Sequence, residues 1–118
     1  MSQTRFTLAE SGAVQIIELH LPQQLDANEF DRLNESLAGV MEGNTHRAWV
    51  LDLAGVEYSG SAVLGLLVNF RQQVKQGGGK LVLSGMSPRL MSVFKTCSLD
   101  RLFRCAATRD AAVRLAGD

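Results

Sequence analysis

This sequence lacks an excess of charge of either sign: its 12 Lys and Arg balance 12 Asp and Glu. Near-neutrality removes the electrostatic footprint that binding to nucleic acid or to an anionic membrane surface requires. Long apolar runs are missing as well. No stretch approaches the roughly 18 apolar residues of a membrane span, and no apolar core follows Met1-Ser2-Gln3-Thr4-Arg5. Neither direct membrane insertion nor secretion is expected, and the reading is cytoplasmic. Cysteine and histidine are scarce, at 2 each. Cys97 and Cys105 lie eight positions apart, His20 and His46 fall in different segments, and neither pair has metal-ligand spacing. No metal or other cofactor is expected. The cysteines read as small apolar residues facing a core, and the histidines as solvated or capping groups near element ends. Proline occurs only at Pro22 and Pro88, and no repeat or low-complexity tract divides the chain. Residues 1–118 are therefore expected to form one domain.

What is present is a hydrophobic content of 46% over 118 residues. A chain of this length buries about two-thirds of its extended surface on folding, enough for one core without a staple. Arg5 to Leu8 and Ala13 to Leu21, joined by the turn signal Ser11-Gly12, read as a β-hairpin that Pro22 terminates. Phe30, Leu33, Leu37 and Val40 or Met41 recur at three- and four-residue steps after Asp26, which predicts an amphipathic helix stopped at Gly43-Asn44. Ala48 to Leu53 is a nearly continuous apolar run, suited to a strand buried on both faces. Val63, Leu66, Leu67, Phe70 and Val74 mark one face of a second helix, ended by Gly77-Gly78-Gly79. Lys80 to Ser84 follows as a buried strand, and Ser87-Pro88 opens a third helix whose apolar face carries Leu90, Val93, Phe94 and Cys97. Leu102 to Cys105 suits a last short strand, and Thr108 with Asp110 opens a terminal helix. Helices alternating with strands after a hairpin imply an α/β fold with mostly parallel central strands and helices packed on the sheet.

The junction from Val56 to Gly65 is the most unusual local sequence, and it falls where a parallel strand delivers its carboxyl end to a helix. Ser61 stands near that helix start. Its hydroxyl reads as an N-cap at a junction where parallel sheets gather function, and Ser59 could cap instead if the helix begins earlier. A phosphate-binding P-loop needs a Lys that is absent here. A hydrolase nucleophile elbow would need glycine at Ser59 and Val63. Gly77-Gly78-Gly79-Lys80 follows a helix and precedes a strand, the reverse of a phosphate cradle. Asp26 and Glu57 read as a helix cap and a loop carboxylate rather than as an acid–base pair. No nucleophile with a partnered base is visible, so an enzyme is not expected.

Four further segments carry a resemblance. Leu25-Asp26 follows the second strand. Val50-Leu51-Asp52-Leu53-Ala54-Gly55-Val56 forms the apolar strand. Gly77-Gly78-Gly79-Lys80-Leu81-Val82-Leu83 leads into Ser87-Pro88-Arg89-Leu90, and Ser98-Leu99-Asp100-Arg101-Leu102-Phe103 comes last. In order and spacing these resemble the G-E-L-D, D-L-x-x-V, G-G-x-L-x-L, S-P-x-x-x and G-L-x-x-L-F pieces of the STAS domain family, and within it the bacterial anti-sigma factor antagonists. The resemblance covers nearly the whole chain and implies the same α/β STAS-like fold with an N-terminal hairpin.

The family's junction reads D-S-S-G-L-G, and its first hydroxyl is phosphorylated by a partner kinase. Alignment on Leu64-Gly65 places Gly60 at the Asp, Ser61 at the phosphorylated residue, Ala62 at the second Ser and Val63 at the Gly. The resemblance implies a non-enzymatic partner-switching protein. Unphosphorylated, it would bind an anti-sigma factor that is also a GHKL-type serine kinase. Phosphorylation of Ser61, with Ser59 as second choice, would release it, and a PP2C-type phosphatase would reset it. The implied contact surface is the junction residues Tyr58, Ser59, Gly60, Ser61, Ala62 and Leu64, the following helix at Asn69 and Arg71, and the Gln24–Asn28 loop with Asp26. A monomer or weak dimer suits this role. The alternative is a phosphorylation-independent STAS scaffold, or an accessory subunit of a signalling complex or lipid-transport ATPase, to which the altered D-S-S-G site points.

Overall fold

The structure is a computed structural model that describes residues 5–42, 47–57 and 60–117. Strands β1 (Phe6–Ser11) and β2 (Val14–Leu21) form the expected hairpin, with Gly12 at φ 59° taking the left-handed turn position. There follow α1 (Ala27–Glu42), β3 (Ala48–Val56), α2 (Ser61–Gln76), β4 (Lys80–Ser84), α3 (Pro88–Thr96), β5 (Arg104–Ala106) and α4 (Arg109–Gly117). All five strands make one sheet in the order β1-β2-β3-β4-β5; β1 is antiparallel to β2 and the remaining neighbours are parallel.

Strand alternation sorts side chains to two faces. Ile17, Leu19, Leu21, Leu51, Leu53 and Leu83 meet the apolar stripes of α1, α2 and α3 in the larger core. There Trp49 meets Phe70 edge-on, with ring centroids 5.8 Å apart. Val14, Ile16, Val50 and Val82 face the other way, against Ala112 and Ala116 of α4. The apolar run of β3 is therefore buried on both sides, as its composition requires.

Three expectations are corrected. The first strand begins and ends later than Arg5–Leu8. The last strand is displaced from Leu102–Cys105 to Arg104–Ala106, because Leu99–Arg101 winds into a 3-10 turn whose Leu99 carbonyl accepts from Leu102 N and Phe103 N. Cys97 does not face the core: it is the exposed C-cap residue of α3, beyond the last residue that keeps the helical period. Cys105 is half-buried, and burial, with Asp100 adding to it, pushes its thiol pKa up. The helix stop placed at Gly43-Asn44 and the residue His46 lie outside the described residues.

Candidate functional site

Parallel pairing brings the carboxyl ends of β2 and β3 to one edge of the sheet, and Glu57 N donating to Leu21 O at 2.7 Å joins the chain segments that leave them. One segment leads into α1. Asp26 caps that helix by accepting Glu29 N at 2.8 Å, as read from the sequence, while Glu29 reaches back to Arg5 at 2.6 Å. The other segment leads into α2. Its N-cap is Gly60, at φ −78° and ψ 170°, with no side chain to accept a hydrogen bond. Ser61 is the first helical residue and is exposed, so the N-cap reading of Ser61 is corrected by one position. No described residue bonds its hydroxyl. The backbone N–H groups of this first turn point towards the same end, where the helix dipole favours an anion.

Helical geometry then decides which expected contact residues share a surface. Ser61, Gly65, Val68 and Gln72 step by four, three and four residues and form one exposed stripe along α2, flanked by exposed Ala62 and Asn69. A Cβ added at Gly65 meets nothing within 4 Å. Val68, 36% exposed, was not picked out from the sequence. The signal was available, because it is an apolar residue off the buried stripe. Leu64 is buried in the larger core and positions the helix instead of offering a side chain to a partner. Asn69 Nδ2 donates to Asn34 Oδ1 at 3.3 Å, on the α1 side. Arg71 points the other way, donating from Nε to Leu102 O at 2.9 Å. The structure therefore groups Gly60, Ser61, Ala62 and Asn69 but separates Arg71 from them. Tyr58 and Ser59 lie outside the described residues.

On the α4 face lies a polar cluster that sequence reasoning missed. Arg109, at the start of α4, bonds Asp52 Oδ2 at 2.9 Å and bridges to Glu18; Glu18 lies 3.1 Å from His20 Nε2, which contacts Thr7 Oγ1 at 2.8 Å. Burial opposes the guanidinium charge, but the hydrogen bonds and attraction from Asp52 and Glu18 outweigh it, and the Arg109 pKa is raised. Asp52 also accepts Ala54 N at 3.0 Å across the irregular register where β3 slips against β2. This cluster fastens α4 to the sheet. Among the described residues no group of three or more His, Cys, Asp or Glu is arranged to hold a metal, and no described helix is long and apolar enough to cross a membrane.

Comparison with known proteins follows the same lines. The family model described as the STAS domain matches residues 8–112. A curated relative, BtrV of Bordetella bronchiseptica, carries the description anti-sigma factor antagonist; it is 32% identical over 82 residues, 70% of this chain and 70% of its own length. The structure of a STAS domain protein from Planctomyces limnophilus superposes with a TM-score of 0.81 at 24% identity, over 96% of this chain and 98% of that one. SpoIIAA of Bacillus in its phosphorylated form superposes with a TM-score of 0.67 at 17% identity, over 93% and 98% of the two chains. At these identities the two structural likenesses concern the fold.

Proposed function

The chain belongs to the STAS domain family, among the anti-sigma factor antagonists, and from that premise we propose that it is a partner switch controlled by phosphorylation of Ser61. Unphosphorylated, it binds an anti-sigma factor with GHKL-type serine kinase activity and frees that protein's client. The kinase transfers the γ-phosphoryl group of ATP to Ser61 Oγ, with loss of the hydroxyl proton and formation of ADP, and the complex dissociates. A PP2C-type phosphatase hydrolyses the phosphoserine and restores binding. The chain itself acts as a binding protein in the cytoplasm rather than as an enzyme.

One observation carries this reading: Ser61 stands exposed at the first position of α2, at the head of the exposed stripe of Gly65, Val68 and Gln72. A phosphate there adds about −1.5 to −2 charges, and the helix N-terminus favours an anion by roughly 0.3–1 kcal/mol, so the fold tolerates it. The interface does not. Pressing that anion against a surface shaped for a neutral hydroxyl costs on the order of 2–5 kcal/mol, about thirtyfold to several thousandfold in affinity.

Gly60 favours a second reading. It occupies the N-cap where the family motif has Asp, so no carboxylate stands beside the hydroxyl, and a module that binds its partner without phosphorylation follows. Titration of the cognate anti-sigma factor with wild type, Ser61→Ala and Ser61→Asp separates the two. Switching predicts that Ser61→Ala binds like wild type and Ser61→Asp at least tenfold more weakly. Equal affinity for all three contradicts switching and favours the constitutive module.

A further inference from the structure

Away from Ser61, a groove of about 270 Å³ opens between the C-terminal half of α2, the start of β4 and the approach to β5. Arg71 and Lys75 of α2, Lys80 of β4 and Arg104 of β5 line it together with Leu81 and Phe103. Among the described residues, no Asp or Glu lines it. In a chain whose 12 cationic side chains balance 12 carboxylates, four of the cations line this one groove from three separate elements. We propose that this groove binds a small organic anion carrying at least two negative charges.

The bland explanations cover only part of the cluster. A cation in the last turn of α2 complements the negative end of the helix dipole, which accounts for Lys75. It does not account for Arg71 or for cations brought in on β4 and β5. Nor does pairing among the described residues account for three of the four: no described carboxylate pairs with Arg71, Lys75 or Arg104. Arg71 is held in place, because Nε donates to Leu102 O at 2.9 Å; that bond uses none of its Nη protons. A planar guanidinium held by a backbone carbonyl is preorganised for bidentate contact with phosphate or carboxylate.

Size and lining set the ligand class. The volume lies just below the usual range for small-molecule sites, about 300–1,000 Å³, which limits the ligand to a small metabolite. Leu81, Val82 and Phe103 among the lining suit a carbon body, and the cationic residues suit two or more anionic groups on it. Phosphorylated sugars and polycarboxylates share this chemistry. Arg71 lies ten residues beyond Ser61 on α2, about 15 Å along the helix at 1.5 Å per residue. The groove is thus spatially separate from the proposed phosphorylation site, and its test is independent of that site.

The test is a titration of 15N-labelled full-length protein in 150 mM salt with fructose 1,6-bisphosphate and, separately, with citrate. Nearby surface charges are strongly screened at that ionic strength, where the Debye length is about 8 Å. The expected result is saturable binding of at least one of the two, with amide shifts at Arg71, Lys75, Leu102 and Phe103. Lys75→Gln and Arg104→Gln should each raise Kd about tenfold, as loss of a charge-assisted contact implies. Both positions are exposed, and unchanged circular dichroism will confirm that the variants fold. Binding of the bisphosphate alone identifies a phosphate site, and binding of citrate alone a carboxylate site. Shifts outside the groove, linear unsaturated shifts with both ligands, or affinities unchanged in both variants overturn the proposal.

Discussion

Gly65→Ala separates what α2 does for the fold from what its surface does for a partner. Gly65 is exposed, lies one turn after Ser61, and has open space where the new methyl would stand. Replacing glycine by alanine in an exposed helix stabilises by up to about 1 kcal/mol, because the unfolded chain has less backbone freedom to lose and helix propensity improves. Unfolding entropy near 2.1 cal/mol/K per residue gives about 0.25 kcal/mol/K for a chain of this length, so the expected rise in Tm is roughly 2–4 °C. Binding should move in the opposite direction. If the stripe of Ser61, Gly65 and Val68 meets the anti-sigma factor, the extra methyl overpacks a close contact at a cost of about 1–3 kcal/mol, roughly five- to 150-fold in Kd. Calorimetry of the free protein and titration with the partner read the two effects separately. A fall in Tm contradicts the open surroundings of Gly65, and a higher Tm with unchanged Kd removes the α2 stripe from the interface.

Two stability predictions test the α4 face. Arg109→Met leaves Asp52, whose side chain is only 10% exposed, without its cationic partner, and should cost about 1.5–3 kcal/mol in urea unfolding; a loss below 0.5 kcal/mol on the same order-of-magnitude scale would show that the cluster does not fasten α4. Ser84→Ala should be neutral or stabilising, by up to about 1 kcal/mol, because the buried Ser84 Oγ has no hydrogen-bond partner among the described residues; destabilisation beyond that size would show that the hydroxyl is satisfied.

Elements whose signals are local were legible in the sequence. The period of α2, the Ser87-Pro88 start of α3, confirmed by Leu90 N donating to Ser87 Oγ at 3.1 Å, and the span of β4 all follow from neighbouring residues. Asp26 as a helix cap was equally legible, since capping reaches only three residues. What escaped depended on contacts between distant segments. Glu18, Asp52 and Arg109 meet only because β2, β3 and α4 share one face, and nothing in the spacing of 18, 52 and 109 announces it. Ser61 was placed one position early on the helix because Gly60 and Ser61 both satisfy the pattern of a helix start, and backbone dihedrals decide between them. Arg71 and Asn69 read as one surface in sequence, yet two residues turn a helix by about 200° and send them to opposite sides. The cationic groove was illegible for the same reason as the α4 cluster: its residues come from three elements.

The central claim is that one phosphate on Ser61 dissolves the partner complex. Its direct measurement is a reconstitution of this chain with its cognate kinase and ATP, in which mass spectrometry locates the phosphate while size-exclusion chromatography follows the complex. The account predicts phosphate on Ser61, loss of the complex in step with its occupancy, and no dissociation of the Ser61→Ala complex on adding ATP. Phosphate absent from Ser61, or a complex that survives full phosphorylation there, contradicts it.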